Sequence, residues 1–208
     1  MARRTREEIE QQIVEGLAGP GWVVIDDFLE PDLWRALARG AWHAEGGGGF
    51  RAAGIGREGR LAAAVRGDRI RWLESRPAER HERCFLQRVE SLRLAINRRL
   101  WFGLLDFETH YALYPPGAAY ARHLDRPAGR PERTVTLICY LNEDWREGEG
   151  GALRLYLADG GHRDLLPLGG RAVVFLSECF EHEVLPANRP RLALTGWYRQ
   201  RVHGNVMV

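Results

Sequence analysis

The chain has 208 residues, of which 45% are hydrophobic and 28% are charged, and this composition excludes a wholly disordered protein. Its formal net charge at pH 7 is +2, which is too small to favour nucleic acid as a partner. No apolar run approaches the roughly 20 residues of a membrane-spanning helix, so no membrane partner is expected either.

Cysteine usage and the start of the chain predict a cytoplasmic location. Cys84, Cys139 and Cys179 are odd in number and widely spaced, which fits neither a disulfide framework nor a CxxC zinc site. The charged first residues lead into no apolar signal-peptide stretch. All 30 basic residues are arginine, mainly a coding bias in our interpretation, although the guanidinium group also suits anionic ligands. The length predicts a single domain over residues 1–208, and a monomer is favoured.

The N-terminal part of the chain is predicted to be mainly helical. Thr5 and Glu8 have the spacing of a capping box at the start of the first helix. A short apolar strand over Trp22–Ile25 follows, and a second helix begins near Pro31. A long helix is predicted over residues 80–104, with an apolar stripe that we assign to the core.

Residues 46–67 differ in composition from their surroundings, because eight glycines are interleaved with four arginines. Such a segment loses much conformational entropy when it becomes ordered. Two interpretations stay open. The segment is either a flexible surface loop or a lid that becomes ordered over a bound substrate.

From residue 106 onward the hydrophobic period changes from helical to two, which indicates strands. The predicted strands cover residues 107–114, 134–141, 151–157, 171–176 and 191–198. Helices followed by a run of antiparallel strands indicate an α+β, mainly β fold. We predict a cupin-like jelly roll over about 106–200, backed by helical support over about 1–105.

A candidate metal site comes from residues that lie far apart along the chain. In an extended segment, His123 and Asp125 point the same way and can offer an imidazole and a carboxylate to one ion. His182 follows Asp125 by 57 residues and can supply a second imidazole. Two histidines and one carboxylate form the facial triad of non-haem Fe(II) oxygenases, whereas zinc sites usually have more histidine or cysteine.

An open coordination face suits a 2-oxo acid and O2, and the far carboxylate of such an acid needs its own anchor. Arg191 follows a short turn after His182 and can bind that carboxylate through two parallel hydrogen bonds. Tyr140 lies on the inward face of its strand, so its hydroxyl can donate to the same carboxylate. The alternative for Arg191 is a surface ion pair.

Several other side chains are weighed against a simpler role. His110 alternates with large apolar residues, and we interpret it as a satisfied strand histidine rather than a ligand. Four further residues are candidate cavity walls, although such residues are more often plain core; they are Tyr114, Tyr120, Leu153 and Trp197.

The sequence resembles the hypoxia-type prolyl hydroxylases and their bacterial relatives from about residue 23 to residue 198. The resemblance rests on several blocks that occur in the family's order. They are YARHLD at 120–125, TVTLICYLNEDW at 134–145, GGALR at 150–154 and HEVLP at 182–186, with RGDRIRWL at 66–73 upstream.

The resemblance implies a double-stranded β-helix, a cofactor iron as Fe(II), 2-oxoglutarate and O2 as cosubstrates, and ascorbate as reductant. It implies that iron is bound by His123, Asp125 and His182, the residues on which catalysis would depend. The resemblance assigns Arg191 and Tyr140 to the distal carboxylate of 2-oxoglutarate and Tyr114 to the neighbourhood of its metal-binding end. The lining of the pocket is assigned to Thr195, Trp197 and Leu153.

The same resemblance implies a protein substrate that carries a target proline, and a role in oxygen sensing is conceivable for such an enzyme. Bacterial members are thought to hydroxylate a prolyl residue of elongation factor Tu, which is therefore a candidate substrate. The arginines near the site entrance and one acidic neighbour are candidate substrate contacts, namely Arg122, Arg133, Arg66 and Asp68. Two alternatives remain: the same chemistry on a free amino acid or small metabolite, and a non-enzymatic jelly-roll module that senses a metal or ligand.

Overall fold

The computed structural model describes residues 4–54, 65–126 and 132–201. These residues form the helices α1 (Arg6–Ala18), α2 (Pro31–Gly46) and α3 (Arg80–Leu100). Within the described ranges, no helix combines the length and apolar character that crossing a bilayer requires. The strands are β1 (Trp22–Ile25), β2 (Arg51–Ala52), β3 (Arg69–Trp72), β4 (Leu104–Tyr114), β5 (Tyr120–His123), β6 (Arg133–Tyr140), β7 (Leu153–Tyr156), β8 (His162–Leu165), β9 (Ala172–Leu176), β10 (His182–Val184) and β11 (Arg191–Gln200).

The first helix begins as the capping box predicts. The Thr5 hydroxyl accepts a hydrogen bond from the backbone N–H of Glu8, and the Glu8 carboxylate accepts one from the backbone N–H of Thr5. Four apolar side chains of α3 pack with the apolar side of α1 in one core against the larger sheet; they are Phe85, Val89, Leu92 and Ile96.

The third helix is shorter than predicted, because it ends at Leu100 rather than at residue 104. Trp101 adopts a left-handed conformation with φ 56° and ends the helical hydrogen bonding. The Asn97 side chain then pairs with the backbone of Leu104, donating to its carbonyl oxygen and accepting from its N–H, both at 2.8 Å. This amide fixes Leu104 as the first residue of β4.

The strands form two antiparallel sheets. The larger sheet has the order β1-β9-β6-β11-β4-β3-β2, and the smaller has the order β5-β10-β7-β8. Successive side chains of a strand point to opposite faces. Accordingly, one face of the larger sheet packs against the helices, and the other packs against the smaller sheet. The predicted fold class is confirmed: the chain is a double-stranded β-helix backed by N-terminal helices.

The glycine- and arginine-rich stretch at 46–67 is only partly described. Gly46 ends α2, and the short strand β2, at the edge of the larger sheet, pairs with β3. Residues 55–64 lie outside the described part of the chain, so the lid interpretation stays a prediction.

Candidate metal centre and ligand cavity

A cavity of about 580 Å³ lies between the two sheets. The larger sheet contributes side chains from β3, β4, β6 and β11, and the smaller sheet contributes β5, β7 and β10. The predicted site residues that line it are Arg66, Tyr114, His123, Asp125, Arg133, Leu153, His182, Arg191, Thr195 and Trp197.

Three potential metal ligands converge on one side of this cavity. His123 and His182 are direct cross-strand partners on β5 and β10, and Asp125 follows β5 by two residues. The carboxylate oxygens of Asp125 lie 3.7 Å from His123 Nε2 and 3.5 Å from His182 Nε2. One ligand atom from each residue lies within 4.8 Å of the others, and the described residues contain no other such group. Two imidazoles and one carboxylate can hold an Fe(II)-type ion with open coordination positions.

The backbone orients both imidazoles toward that point. His123 Nδ1 lies 2.8 Å from the Ala121 carbonyl oxygen, and His182 Nδ1 lies 3.1 Å from the Phe180 carbonyl oxygen. A carbonyl can only accept, so Nδ1 carries the proton in each ring and Nε2 presents a lone pair. Burial lowers the pKa of His182, which favours the neutral form that a metal binds.

The Asp125 carboxylate is buried, and its partners keep it ionised. Burial alone would raise its pKa, but the neighbouring imidazoles, His182 first, outweigh this effect and hold the pKa well below its usual range. The Thr136 hydroxyl also donates to Asp125 Oδ2 at 2.8 Å and lies 2.9 Å from the Ser177 hydroxyl. The sequence analysis did not identify Thr136, which lies on the same face of β6 as Tyr140, as a partner of Asp125.

Arg191 lies buried at the other end of the cavity, so the alternative of a surface ion pair is wrong. Its Nε donates to the Gly151 carbonyl oxygen at 2.8 Å, whereas its buried Nη2 has no hydrogen-bond partner. The guanidinium carbon lies 5.2 Å from the ring centroid of Tyr114 and 5.1 Å from that of Tyr140. The Tyr140 hydroxyl is also buried without a partner, and burial raises the pKa of Tyr140 to about 12, so it remains a donor.

Unpartnered donors in a buried cavity indicate a binding site for an anion, because burying them unpaired costs free energy. Arg191 and Tyr140 therefore fit a carboxylate. Thr195, Trp197 and Leu153 line the same cavity. On β11, Trp197 pairs with Thr136, which binds Asp125, and Thr195 lies between Trp197 and Arg191.

A buried ion pair in the segment before β3 contacts the metal centre through an aromatic ring. Arg66 Nε and Nη2 bind the two Asp68 oxygens at 2.6 and 2.9 Å, and the Asp68 side chain is fully buried. The Arg66 guanidinium lies 4.8 Å above the Tyr120 ring, which stacks on the His123 imidazole at 3.7 Å. Asp68 thus fixes Arg66 through an ion pair.

The two other arginines proposed as substrate contacts already have partners within the chain. Arg122 pairs with Glu181 and lies 3.8 Å over the Tyr156 ring, outside the cavity lining. Arg133 pairs with Glu108 at 2.8 Å and lies 3.5 Å over the Trp197 ring. Both therefore stabilise the walls of the site in the absence of any substrate.

The interpretation of His110 as a satisfied histidine is wrong. It lines the cavity, only 2% of its surface is exposed, and neither ring nitrogen has a hydrogen-bond partner. The period-two pattern placed His110 on the same strand face as Tyr114, and this was the only sequence signal for its position in the site.

Comparisons with known proteins agree with this geometry. Residues 109–199 match the 2OG-Fe(II) oxygenase superfamily model. A prolyl-4-hydroxylase crystal structure from Pseudomonas putida is 45% identical, with a TM-score of 0.85 over 93% of this chain and 100% of that one. A Trichoplax adhaerens prolyl hydroxylase, solved with a hypoxia inducible factor peptide, is 29% identical, with a TM-score of 0.86 over 94% of this chain and 90% of that one.

Curated relatives are longer than this chain. Human Egl nine homolog 1 is 30% identical over 90% of this chain, and the hypoxia-inducible factor prolyl hydroxylase of Caenorhabditis elegans is 28% identical over 93%. The match spans 46% of the human protein and 28% of the nematode protein.

Proposed function

The chain belongs to the prolyl hydroxylase family of 2OG-Fe(II) oxygenases, and on this basis we propose that it hydroxylates a prolyl residue of a protein substrate. The observation that carries the proposal is one cavity with three convergent metal ligands at one end and the unpartnered Arg191 Nη2 at the other, where the buried and unpartnered Tyr140 hydroxyl belongs to a ring packed beside Arg191. The products would be hydroxyproline, succinate and CO2.

Iron would be held by His123, Asp125 and His182. Two Nε2 lone pairs and one ionised carboxylate make a suitable donor set for Fe(II), and the hydrogen bonds behind them preset the orientation of each ligand. When bound, iron together with 2-oxoglutarate and O2 supplies the oxidising chemistry that inserts one oxygen atom into a C–H bond.

The chain's own residues would bind and orient 2-oxoglutarate. Arg191 and Tyr140 would donate to its distal carboxylate. Tyr114, whose ring lies beside the Arg191 guanidinium, would line the pocket toward the metal-binding end of the cosubstrate, as the resemblance implies. Thr195, Trp197 and Leu153 would line the pocket between this anchor and the metal ligands and exclude bulk water from it.

The substrate is proposed to be a protein, with elongation factor Tu as a candidate from the family resemblance. Arg66, at the cavity edge, is the proposed contact with the target chain, and its buried partner Asp68 would position it. Arg122 and Arg133 would need to exchange an internal partner for an acidic substrate residue. Ascorbate as reductant, a cytoplasmic location, and a monomeric state complete the proposal.

The function is tested by incubating the purified protein with Fe(II), 2-oxoglutarate and elongation factor Tu. Mass spectrometry should find a gain of one oxygen at a proline, matched by succinate release. Replacing His182 by Ala should abolish both signals, while circular dichroism shows a retained fold. Iron-dependent succinate release without any protein hydroxylation would favour a small-molecule substrate, and no succinate release under any condition would contradict the enzymatic proposal.

Replacing Arg191 by Lys should weaken 2-oxoglutarate binding about tenfold or more, because lysine lacks the planar fork of five N–H donors. The apparent affinity for 2-oxoglutarate measures this effect. An unchanged affinity would show that Arg191 does not bind the cosubstrate.

A further inference from the structure

His110 is an unpaired polar side chain inside the cavity that the proposed function leaves without a role. Its ring centroid lies 4.8 Å from that of Trp72 and 5.5 Å from that of Trp197, and these contacts hold it in place. Its two nitrogens lack hydrogen-bond partners, just as the Tyr140 hydroxyl and Arg191 Nη2 do. An imidazole always carries at least one N–H, so His110 brings a buried donor that needs an acceptor.

The charges around His110 decide which form of the imidazole is present. Burial, followed by the positive charges of Arg66 and Arg133, lowers the pKa of His110 well below its usual value, although Asp125 opposes this shift. A neutral imidazole has one donor and one acceptor nitrogen. It can bind an anionic oxygen through its N–H without adding a full positive charge to the site.

Strand register places His110 opposite the Arg191 anchor along the cavity. On neighbouring strands β4 and β11, Tyr114 pairs with Arg191, Ala112 pairs with Ala193, and His110 pairs with Thr195. These three pairs lie on the face of the sheet that the cavity covers, because they are two residues apart along each strand.

The middle pair leaves room for a ligand to lie between the two ends. Ala112 and Ala193 are small, so they form a low floor between larger, polar pairs. The four steps along the strand from Arg191 to Thr195 span about 13 Å. The long Arg191 side chain occupies part of this length, which leaves space for a short dicarboxylate.

We propose that His110 is a cosubstrate-binding residue, whose imidazole N–H donates a hydrogen bond to the carboxylate of 2-oxoglutarate that neighbours the keto group. This inference rests on the proposed function. Arg191 and Tyr140 would bind the distal carboxylate, and His110 would bind the opposite end of the same molecule, beside Thr195. The cosubstrate would then be fixed at both ends across the alanine floor.

Calorimetric titration of 2-oxoglutarate into Mn(II)-loaded protein tests the proposal without turnover. Replacing His110 by Met removes the donor while keeping an apolar side chain of similar size, and it should weaken binding about tenfold or more, the usual effect of losing one hydrogen bond to a charged group. Replacing His110 by Gln keeps a neutral N–H donor and should stay within about threefold of the wild type. An unchanged affinity of the Met variant, or equal losses in both variants, would overturn the proposal.

A second ligand locates the contact. The acid 2-oxobutyrate keeps the keto end of 2-oxoglutarate but lacks the distal carboxylate. Replacing His110 by Met should still weaken its binding, whereas replacing Arg191 by Lys should not. A penalty from the His110 variant that appears only with 2-oxoglutarate would contradict the assignment to the keto end.

The wild type supplies a readout that does not depend on a folded variant. In the Zn(II)-loaded protein, the imidazole nitrogens of His110 can be followed by NMR as 2-oxoglutarate is added, and one of them should shift on binding. If 2-oxoglutarate binds while both nitrogen signals stay unchanged, the His110 proposal is wrong but the proposed function stands. If 2-oxoglutarate does not bind the wild type at all, the proposed function itself fails.

Discussion

At the scale of single residues, the metal centre depends on side chains that hydrogen-bond to the candidate ligands without contacting the ion itself. The Thr136 hydroxyl is buried between Asp125 and Ser177 and has a single hydrogen, so it donates to Asp125 and accepts from the Ser177 hydroxyl. The donation to Asp125 fixes one carboxylate oxygen. Such partners tune metal affinity without touching the ion.

Replacing Thr136 by Val should therefore weaken metal binding about 10- to 100-fold, because Asp125 loses a hydrogen bond to its charged form. Titration with Mn(II) measures the effect. Replacing Thr136 by Ser keeps the hydroxyl and serves as the matched control. If Val and Ser bind Mn(II) equally well, the hydroxyl has no part in preparing the site.

The depressed pKa of His110 predicts a dependence of stability on pH. Below a pH of about 6.5, the unfolded chain takes up a proton on His110 while the folded chain does not. The free energy of unfolding is therefore highest above that pH and decreases as the pH falls. Between pH 7.5 and 5.5, one such group lowers the free energy of unfolding by about 1.4 kcal/mol.

Urea unfolding of the metal-free protein at these two pH values measures the loss. Between pH 7.5 and 5.5, the free energy of unfolding should fall by about 1.4 kcal/mol less in the variant with Met in place of His110 than in the wild type. Parallel losses in the two proteins would mean that the folded protein protonates His110 as readily as the unfolded chain does.

Residue-level prediction from sequence succeeds where spacing carries the information. The two-residue spacing of His123 and Asp125 in an extended segment brought both to one side. Prediction fails where the packing of distant segments decides the role of a side chain. The nitrogens of His110 have no hydrogen-bond partner in the folded chain. Arg122 pairs with Glu181, which lies 59 residues further along the chain.

At the scale of elements, the position of Arg191 depends on a glycine in the loop before β7. Gly151 has φ +71°, and its carbonyl oxygen accepts from Arg191 Nε. A Cβ at this position would lie 2.8 Å from the Trp145 ring and 2.9 Å from the Ala187 Cβ. The loop therefore packs against Trp145 and Ala187 as closely as a residue without a side chain allows.

Replacing Gly151 by Ala should lower the free energy of unfolding by about 1–3 kcal/mol and weaken 2-oxoglutarate binding. Chemical denaturation and calorimetry measure the two effects. Replacing Gly148 by Ala, in the same loop but with open space around its Cβ position, is the matched control and should change neither. Normal 2-oxoglutarate affinity in the Gly151 variant would separate this loop from the anchor.

The buried pair of Arg66 and Asp68 connects the segment before β3 to β5, where Arg66 also forms an isolated β-bridge with Tyr120. Replacing Asp68 by Asn should lower the free energy of unfolding by about 3 kcal/mol, because it leaves a buried guanidinium without its counter-charge. Replacing Asp164 by Asn removes the more exposed pair with Arg154 and should cost less than about 1 kcal/mol. Similar losses in both variants would show that burial does not strengthen the first pair.

Element-level prediction is most reliable for long periodic segments and least reliable at their ends. The long helix was expected, but its end at Leu100 depends on how the Asn97 amide binds the backbone of Leu104. Strand β10 has only three residues, too few to show a period, although it carries His182.

At the scale of the whole molecule, the site is divided between the two sheets. The smaller sheet carries His123 and His182, while the larger sheet carries Arg191, Tyr140 and Thr136. The helices cover the opposite face of the larger sheet, and their core is separate from the apolar cluster around the cavity. Any change in how the sheets face one another would therefore alter the distance between the metal ligands and the anion anchor.

The order of helices and strands along the chain was enough to predict this architecture, because helices followed by alternating strands favour a jelly roll with one covered face. The strand order within each sheet could not be obtained in this way, since it depends on pairings between distant segments such as β1 and β9. Spacing and strand periodicity indicated the inward positions of His123, Asp125 and Tyr140, and the resemblance to the family added Thr195 to the cavity residues.

The most direct test of the central claim is an anomalous diffraction map from crystals grown with Mn(II) and 2-oxoglutarate. We expect one ion, bound by Nε2 of His123, Nε2 of His182 and an oxygen of Asp125, with the distal carboxylate of 2-oxoglutarate against Arg191. An anomalous peak elsewhere, or 2-oxoglutarate bound away from Arg191, would contradict it.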